Sequence, residues 1–139
     1  MEYRLDLNNL YKILELVSEY NCKLLPVIKG RNEEDILQLY NEGFREFGEN
    51  RLNELSDHAR FLPEARFHFI APLQSRKIRE IMNSCDFIHT LQRPKEILAI
   101  NECYENQDIF VQINIDDDPN KSGININEVD EFFDNFEGL

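Results

Sequence analysis

A lysine at the end of a short apolar run is the residue of this sequence best suited to do chemistry. Residues 24–28 are long enough for one buried strand, and they lead directly into Lys29 and Gly30. Ligands of α/β proteins bind at the carboxyl ends of strands, so this strand would present an amine to a ligand. Such an amine, held in a partly apolar pocket, can form a Schiff base with a carbonyl compound. Taken alone, the pattern is more typical of a solvated lysine or a salt-bridge partner.

Four later apolar runs also end in short polar side chains. The predicted strands begin near residues 45, 66, 86 and 109 and lead into Glu49, Asn50, residues 71–74, His89, Thr90 and Asn114. Because the carboxyl ends of parallel strands meet at one edge, these side chains would surround Lys29. The alternative for His68, His89 and Asn114 is that they are hydrogen-bonded polar residues of the fold itself.

The predicted strands recur at an interval of about 20 residues, and each interval holds one strand and one helix. A regular βα repeat with short connections predicts a parallel sheet with right-handed crossovers. An open doubly wound sheet and part of a closed (β/α) barrel both have this pattern. The near-constant repeat and the lack of a G-x-G-x-x-G turn favour the barrel segment.

Helical spacing and capping residues predict the helices. Residues 8–20 have the i, i+3, i+4, i+7 apolar spacing of an amphipathic helix. Asn32 can cap a second helix, with Leu37 on its inward side, and Gly43 can end it. A last helix is predicted over residues 127–136.

The fifth predicted strand, residues 109–115, is nearly continuous apolar sequence, which is typical of a strand covered on both faces. Five strands cannot close an eight-stranded barrel, so the first and fifth strands would expose hydrogen-bonding edges. We therefore expect something to cover those edges.

Charge and cysteine content narrow the class of protein. The 139 residues carry a net charge of -12, and residues 101–139 hold eleven acidic side chains and one basic one. Such a surface repels phosphate backbones and anionic lipid, so we expect no nucleic-acid or membrane binding. Three widely spaced cysteines without a C-x-x-C pair, and no signal-peptide pattern, indicate a cytoplasmic protein.

An acidic segment, residues 116–121, partly resembles a calcium loop. Lys121 stands at the sixth position, where the sharp turn of such a loop requires glycine, and Asn127 stands where a bidentate glutamate is needed. The segment is therefore interpreted as a solvated acidic turn. The histidines and cysteines show no zinc-site spacing.

Several motifs together resemble one known family. They are Pro26-Val27-Ile28-Lys29, Phe47-Gly48-Glu49-Asn50-Arg51, His68-Phe69-Ile70-Ala71-Pro72-Leu73-Gln74-Ser75-Arg76-Lys77, Ile88-His89-Thr90-Leu91, Gln112-Ile113-Asn114-Ile115 and Lys121-Ser122-Gly123. Their order resembles that of the pyridoxal phosphate homeostasis proteins over most of the chain, from about Leu24 to Gly123. The sequence differs from the usual family pattern at Ile28, Ala71 and Arg76, which stand where serine, glycine and asparagine are usual.

The resemblance implies a fold, a cofactor and a site. The fold is α/β, a partial (β/α)8 TIM barrel of the alanine-racemase N-terminal type, with about five parallel strands in a single domain over residues 1–139. The cofactor is pyridoxal 5′-phosphate (PLP), bound as a Schiff base to Lys29 with Asn50 nearby. His68, Asn114 and Lys121 are carried over as residues in or near the pocket.

The function implied by the resemblance is non-catalytic: to carry or buffer PLP and to balance vitamin B6 and amino-acid pools. The family barrel continues beyond the fifth strand, and the segments that hold the cofactor phosphate follow there, outside this sequence. Two alternatives stay open. One is a racemase-like PLP enzyme, which needs a second acid or base on the opposite cofactor face; the other is a half-barrel that acts only when paired with a copy of itself or with a complementing chain.

Overall fold

Helices and strands alternate along the computed structural model, which describes residues 4–136. There are also three short 3₁₀ turns: Ser75–Lys77 precedes the helix Ile78–Ser84, and Ile126–Glu128 and Asp134–Phe136 lie on either side of the helix Val129–Phe133. The main elements are α1 (Leu7–Glu19), α2 (Glu33–Asn41), β1 (Glu46–Glu49), α3 (Leu52–Phe61), β2 (Arg66–Phe69), α4 (Ile78–Ser84), β3 (Phe87–Leu91), α5 (Pro94–Asn101), β4 (Asp108–Val111), β5 (Ile113–Asn114), β6 (Ile124–Asn125) and α6 (Val129–Phe133).

The main sheet has four strands in the order β1-β2-β3-β4, and every neighbouring pair is parallel. Alternate strand residues, among them Phe47, Phe67 and Ile88, are almost completely buried, and α3 packs against β1 and β2. These side chains form the core between the sheet and its helices. The predicted array of parallel strands joined by helices is therefore confirmed.

The other side of the sheet is here called the open face and is made by Val27, Gly48, His68, Phe87 and Phe110. Backbone pairing sets Val27 beside Gly48, Gly48 beside His68, and His68 beside Phe87. Val27 and Phe110 are 46% and 52% exposed, so no helix covers this face in the described part of the chain.

The first predicted strand is shorter than expected, because only Val27 forms a bridge to the sheet. Gly48 donates its N–H to Pro26 O at 2.8 Å and accepts the Ile28 N–H at 3.0 Å. Toward the amino end of the segment, the next hydrogen bond of a parallel ladder would be donated by the N–H of residue 26, but proline has none. The segment still follows the strand path beside β1. A Cβ on Gly48 would come within 3.2 Å of Val27 Cγ2, so glycine permits this close approach.

The prediction of one long strand over residues 109–115 is wrong. The strand breaks at Gln112, whose N–H donates to Leu91 O at 2.8 Å and whose carbonyl accepts the Ile124 N–H at 2.9 Å. Beyond the break, β5 pairs in parallel with β6, a strand that the sequence pattern did not predict. Coverage on both faces is also wrong: Phe110 is half exposed and Ile115 is 81% exposed, because β4 is the last strand of the main sheet.

For α2 the predicted end residues are confirmed, but the predicted buried side is partly wrong. Asn32 caps α2 by accepting the Asp35 N–H at 2.8 Å, and Gly43 follows it with a φ of 103°. Leu37 was predicted to point inward but is 43% exposed, because Ile36 and Leu39 form the buried side of α2. The predicted last helix is divided into α6 and the 3₁₀ turns on either side.

No helix within residues 4–136 is long and apolar enough to cross a membrane.

Candidate functional site

Lys29 lies on a tight turn where the first strand segment ends. The Arg31 N–H donates to Ile28 O at 3.1 Å, which makes Lys29 and Gly30 the two central residues of the turn. Gly30 has a φ of 67°, a backbone conformation that favours glycine. The Lys29 side chain is exposed and forms no hydrogen bond or ion pair with any residue the structure describes.

Glu54, in the first turn of α3, accepts a backbone hydrogen bond from the turn that contains Lys29. Its Oε2 accepts the Gly30 N–H at 2.7 Å, and its Oε1 accepts a bond from Arg51 Nη1 at 2.8 Å. The Gly30 hydrogen bond is the main reason that the pKa of Glu54 lies below its usual value, with Arg51 adding to the effect. Sequence reasoning missed Glu54. The only signal for it was an acidic residue in the first turn of the helix that follows the F-G-E-N motif.

Asn50 directly follows β1, two residues beyond Gly48. The Ile70 N–H donates to Glu49 O at 3.0 Å, so the ladder between β1 and β2 continues to the level of Asn50. Two residues beyond the Val27–Gly48 bridge, Lys29 lies in the turn of residues 28–31. Lys29 and Asn50 thus follow the ends of two neighbouring segments at the carboxyl end of the sheet, Lys29 in the turn after Ile28 and Asn50 directly after β1.

The side chain of Asn50 has an unused hydrogen-bonding atom. Its Oδ1 is buried and has no hydrogen-bond partner among the described residues. Buried polar atoms without a partner are rare, so this oxygen fits a group that is not part of the described chain. Asn50 also lines a pocket of about 330 Å³, together with Leu52, Phe69, Gln74 and Lys77.

The glutamate of the F-G-E-N motif points away from the open face. Glu49 is completely buried; its Oε2 lies 3.0 Å from His58 Nδ1 and its Oε1 accepts the Asn50 N–H at 3.0 Å. Burial raises the pKa of Glu49, while the hydrogen bonds from Asn50 and His58 oppose that rise. Glu49 thus fixes the backbone of Asn50 rather than contributing a group to the open face.

His68 and His89 form a pair on β2 and β3. His68 Nδ1 lies 2.8 Å from His89 Nε2, and the His68 ring stacks on Phe87 with ring centres 3.8 Å apart. Burial lowers the pKa of both imidazoles, and the neighbouring His89 lowers that of His68 further. His68 Nε2 is buried without a hydrogen-bond partner; its nearest acidic atom, on Glu46, is 3.8 Å away. Burial therefore favours the uncharged form of both rings, and the short contact between their nitrogens fits a hydrogen bond from one imidazole to the other.

Asn114 lies at the far end of the fold, on β5. Its Nδ2 donates to Asp118 O at 2.7 Å and to Lys121 O at 3.3 Å, and its Oδ1 accepts the Asp118 N–H at 3.2 Å. Lys121 forms an ion pair with Asp116 at 2.6 Å. The structure places Lys29, Asn50 and His68 on or just after neighbouring segments of the sheet, whereas the polar atoms of Asn114 are bonded within its own loop. Contact between Asn114 and a cofactor stays a prediction.

These features define a class: a sheet of parallel strands joined by helices, with a lysine and unpaired polar atoms at its carboxyl end. The alanine racemase N-terminal domain model matches residues 7–139, and the chain belongs to that family.

Curated proteins similar to this chain carry the description that its motifs predict. It is 36% identical over 119 residues to the pyridoxal phosphate homeostasis protein of Pasteurella multocida, covering 80% of this chain and 51% of that protein. The protein of the same description from Escherichia coli K12 is 36% identical over 124 residues, covering 78% and 50%. The chain thus spans about half the length of these curated relatives. The resemblance predicted from the sequence is confirmed.

Solved structures show the same fold. PipY of Synechococcus elongatus PCC7942 without PLP superposes with a TM-score of 0.71 at 25% identity, covering 89% of this chain and 64% of that one. The structure of PipY with PLP bound gives a TM-score of 0.74 at 22% identity, covering 93% and 64%. The second match shows the fold alone. The predicted partial barrel of the alanine-racemase N-terminal type is confirmed.

Proposed function

We propose that this chain, as one domain over residues 1–139, binds PLP as a Schiff base on Lys29 and serves PLP and amino-acid homeostasis in the cytoplasm without catalysing a reaction. The observation that carries the proposal is the position of Lys29. Its exposed amine, without an ion-pair partner among the described residues, lies in the turn that ends the first strand segment, and that segment runs beside β1, which leads into Asn50. The names of the curated relatives and the PLP-bound PipY structure support the choice of cofactor.

Three polar side chains on or just after neighbouring segments of the sheet fit such a cofactor. PLP supplies an aldehyde, to which a primary amine adds with formation of a carbon–nitrogen double bond and loss of water. Lys29 provides the amine, and the unpaired Asn50 Oδ1 and His68 Nε2 provide polar atoms that lack a partner in the described chain. Asn114 would contribute through the shape of its loop. We assign no catalysis because the relatives are described by homeostasis.

Chemical trapping tests the lysine assignment. The chain is mixed with PLP, reduced with borohydride and digested, and the modified peptide is identified by mass spectrometry. We expect the label on Lys29, together with the visible absorbance of a Schiff base before reduction. The matched control is Lys12→Ala, which removes an exposed lysine of α1. The control should label as the wild type does, whereas an unchanged label in Lys29→Ala would refute the assignment.

The exposed open face favours a second proposal, that another polypeptide segment covers it. Val27 and Phe110 are about half exposed there although His68 beside them is buried. Exposed apolar side chains on an uncovered sheet face favour association with another polypeptide. A second copy, or a chain supplying the rest of the barrel, would cover the face. Light scattering of the purified chain tests the first case, and we expect a dimer that Phe110→Lys dissociates. A monodisperse, soluble monomer would count against self-association.

A further inference from the structure

The turn that carries Lys29 depends on a carboxylate from another element. Among the described residues, only Asn21 and Asp117 combine a side chain beyond glycine with a positive φ, so Lys29 has a negative φ. A turn with negative φ at its first central residue and a φ of 67° at its second, Gly30, is of type II rather than type I′. The Gly30 N–H takes no part in the turn's own hydrogen bond, which runs from the Arg31 N–H to Ile28 O.

Glu54 supplies the partner for this free N–H. The distance of 2.7 Å between Gly30 N and Glu54 Oε2 is short, as expected for a hydrogen bond to a charged acceptor. The Glu54 side chain is only 19% exposed and is held by Arg51, so it cannot leave without breaking an ion pair. Gly30 itself has nothing within 4 Å of the position where a Cβ would lie, so packing against a side chain there does not hold the turn.

The orientation of the peptide between Lys29 and Gly30 decides where the lysine backbone points. Type I and type II turns differ by a rotation of this peptide, and ψ of the first central residue changes by about 150° between them. A hydrogen bond to a charged group favours one such state by about tenfold or more. Glu54 therefore selects the type II state.

We propose that Glu54 is a positioning residue for Lys29: by binding the Gly30 N–H it fixes the turn from which the lysine side chain extends. The inference rests on the proposed function of Lys29. Glu54 lies in the first turn of α3, four residues after Asn50, so the start of this helix contacts the lysine turn close in sequence to Asn50.

The first test needs no cofactor. In the NMR spectrum of the wild type, we expect the Gly30 amide signal to follow the titration of Glu54, with a midpoint below the usual value of 4.5 for a glutamate. In Glu54→Gln this response should vanish, and the Gly30 amide should exchange with solvent faster. The control is Glu64→Gln, at an exposed glutamate before β2, which should leave the signal unchanged. A Gly30 amide that ignores Glu54 would overturn the inference.

The second test measures Schiff-base formation with PLP by absorbance. We expect Glu54→Ala to lower the rate at fixed PLP about tenfold, Glu54→Gln to recover part of it because its amide oxygen still accepts the Gly30 N–H, and Glu64→Ala to match the wild type. Circular dichroism checks that each variant is folded. A normal rate in folded Glu54→Ala would overturn the positioning role while leaving the proposed function intact. Absence of the Schiff base in the wild type would overturn both.

Discussion

The polar side chains around Lys29, beside the first strand of the sheet, and around Asn114, beyond its last strand, are used in opposite ways. Around Lys29 the backbone is anchored by Glu54, while the Lys29 amine and Asn50 Oδ1 have no partner in the described residues. At Asn114 both polar atoms of the side chain are bonded within the loop of residues 114–121. A group that is already satisfied has little to offer a ligand, whereas an unpaired one gains a bond when a ligand arrives. The region around Lys29 is therefore the place for binding and the region around Asn114 for stability.

A pair of glycines provides the largest test of this contrast. Both Gly30 and Gly123 have positive φ, but a Cβ on Gly123 would lie 2.7 Å from Asn114 N, whereas one on Gly30 would meet nothing within 4 Å. We expect Gly123→Ala to lower the free energy of unfolding by about 3 kcal/mol and Gly30→Ala by about 1 kcal/mol. Urea denaturation measures both. Equal losses would show that the loop near Asn114 is no more tightly packed than the lysine turn.

Substitutions of Asn114 and Asn50 should have smaller effects on stability, and they separate an effect on stability from an effect on PLP binding. Asn114→Ala removes three hydrogen bonds and should lower the free energy of unfolding by about 2 kcal/mol. Asn50→Ala removes an oxygen that has no partner, and should change it by less than about 0.5 kcal/mol while weakening PLP binding. Urea denaturation and a PLP titration are run on both variants.

The conservative variant Asn114→Asp sharpens this result. It keeps the oxygen that accepts the Asp118 N–H but loses the two donors, so its stability should lie between those of the wild type and Asn114→Ala. A large loss of stability in Asn50→Ala would contradict the contrast, because it would show that the amide already supports the fold.

The fold was predictable where its causes are local. The apolar runs mark the strands, and Asn32 and Gly43 mark the ends of α2 through their own capping and backbone preferences. The break at Gln112 depends on bonds to Leu91 and to Ile124, which lie on other elements. No local pattern around residues 109–115 records those partners, so the long apolar run was interpreted as one strand.

The residues of the candidate site also differ in whether their sequence signals are local. Lys29 and Asn50 follow from strand ends and family motifs, because both signals are carried by neighbouring residues. Glu54 contacts Gly30 across 24 positions of sequence, and that contact exists only because β1 and the first strand segment pair in one register. The internal hydrogen bonds of Asn114 depend on the conformation of its loop, for which a sequence of polar residues has many alternatives.

The histidine pair between these two regions supplies the smallest expected effect, a dependence of stability on pH. Burial sets the pKa of His68 and His89 below the usual value of 6.5, so the unfolded chain binds protons first as the pH falls. The contribution is complete above pH 6.5 and is lost as the pH falls through the folded-state values. Glu46 and Asp86 face His68 and oppose the depression, while Arg66 reinforces it.

Replacing His68 with asparagine isolates this contribution. We expect the wild type to lose stability as the pH falls below 6.5, and His68→Asn to lose less over the same range, because one of the two imidazoles with a lowered pKa is gone. Thermal unfolding at a series of pH values measures the slope, and carboxylates common to both proteins cancel in the difference. Parallel slopes would mean that the imidazoles bind protons equally in the folded and unfolded chains, and the open face would then be wetter than its buried His68 Nε2 indicates.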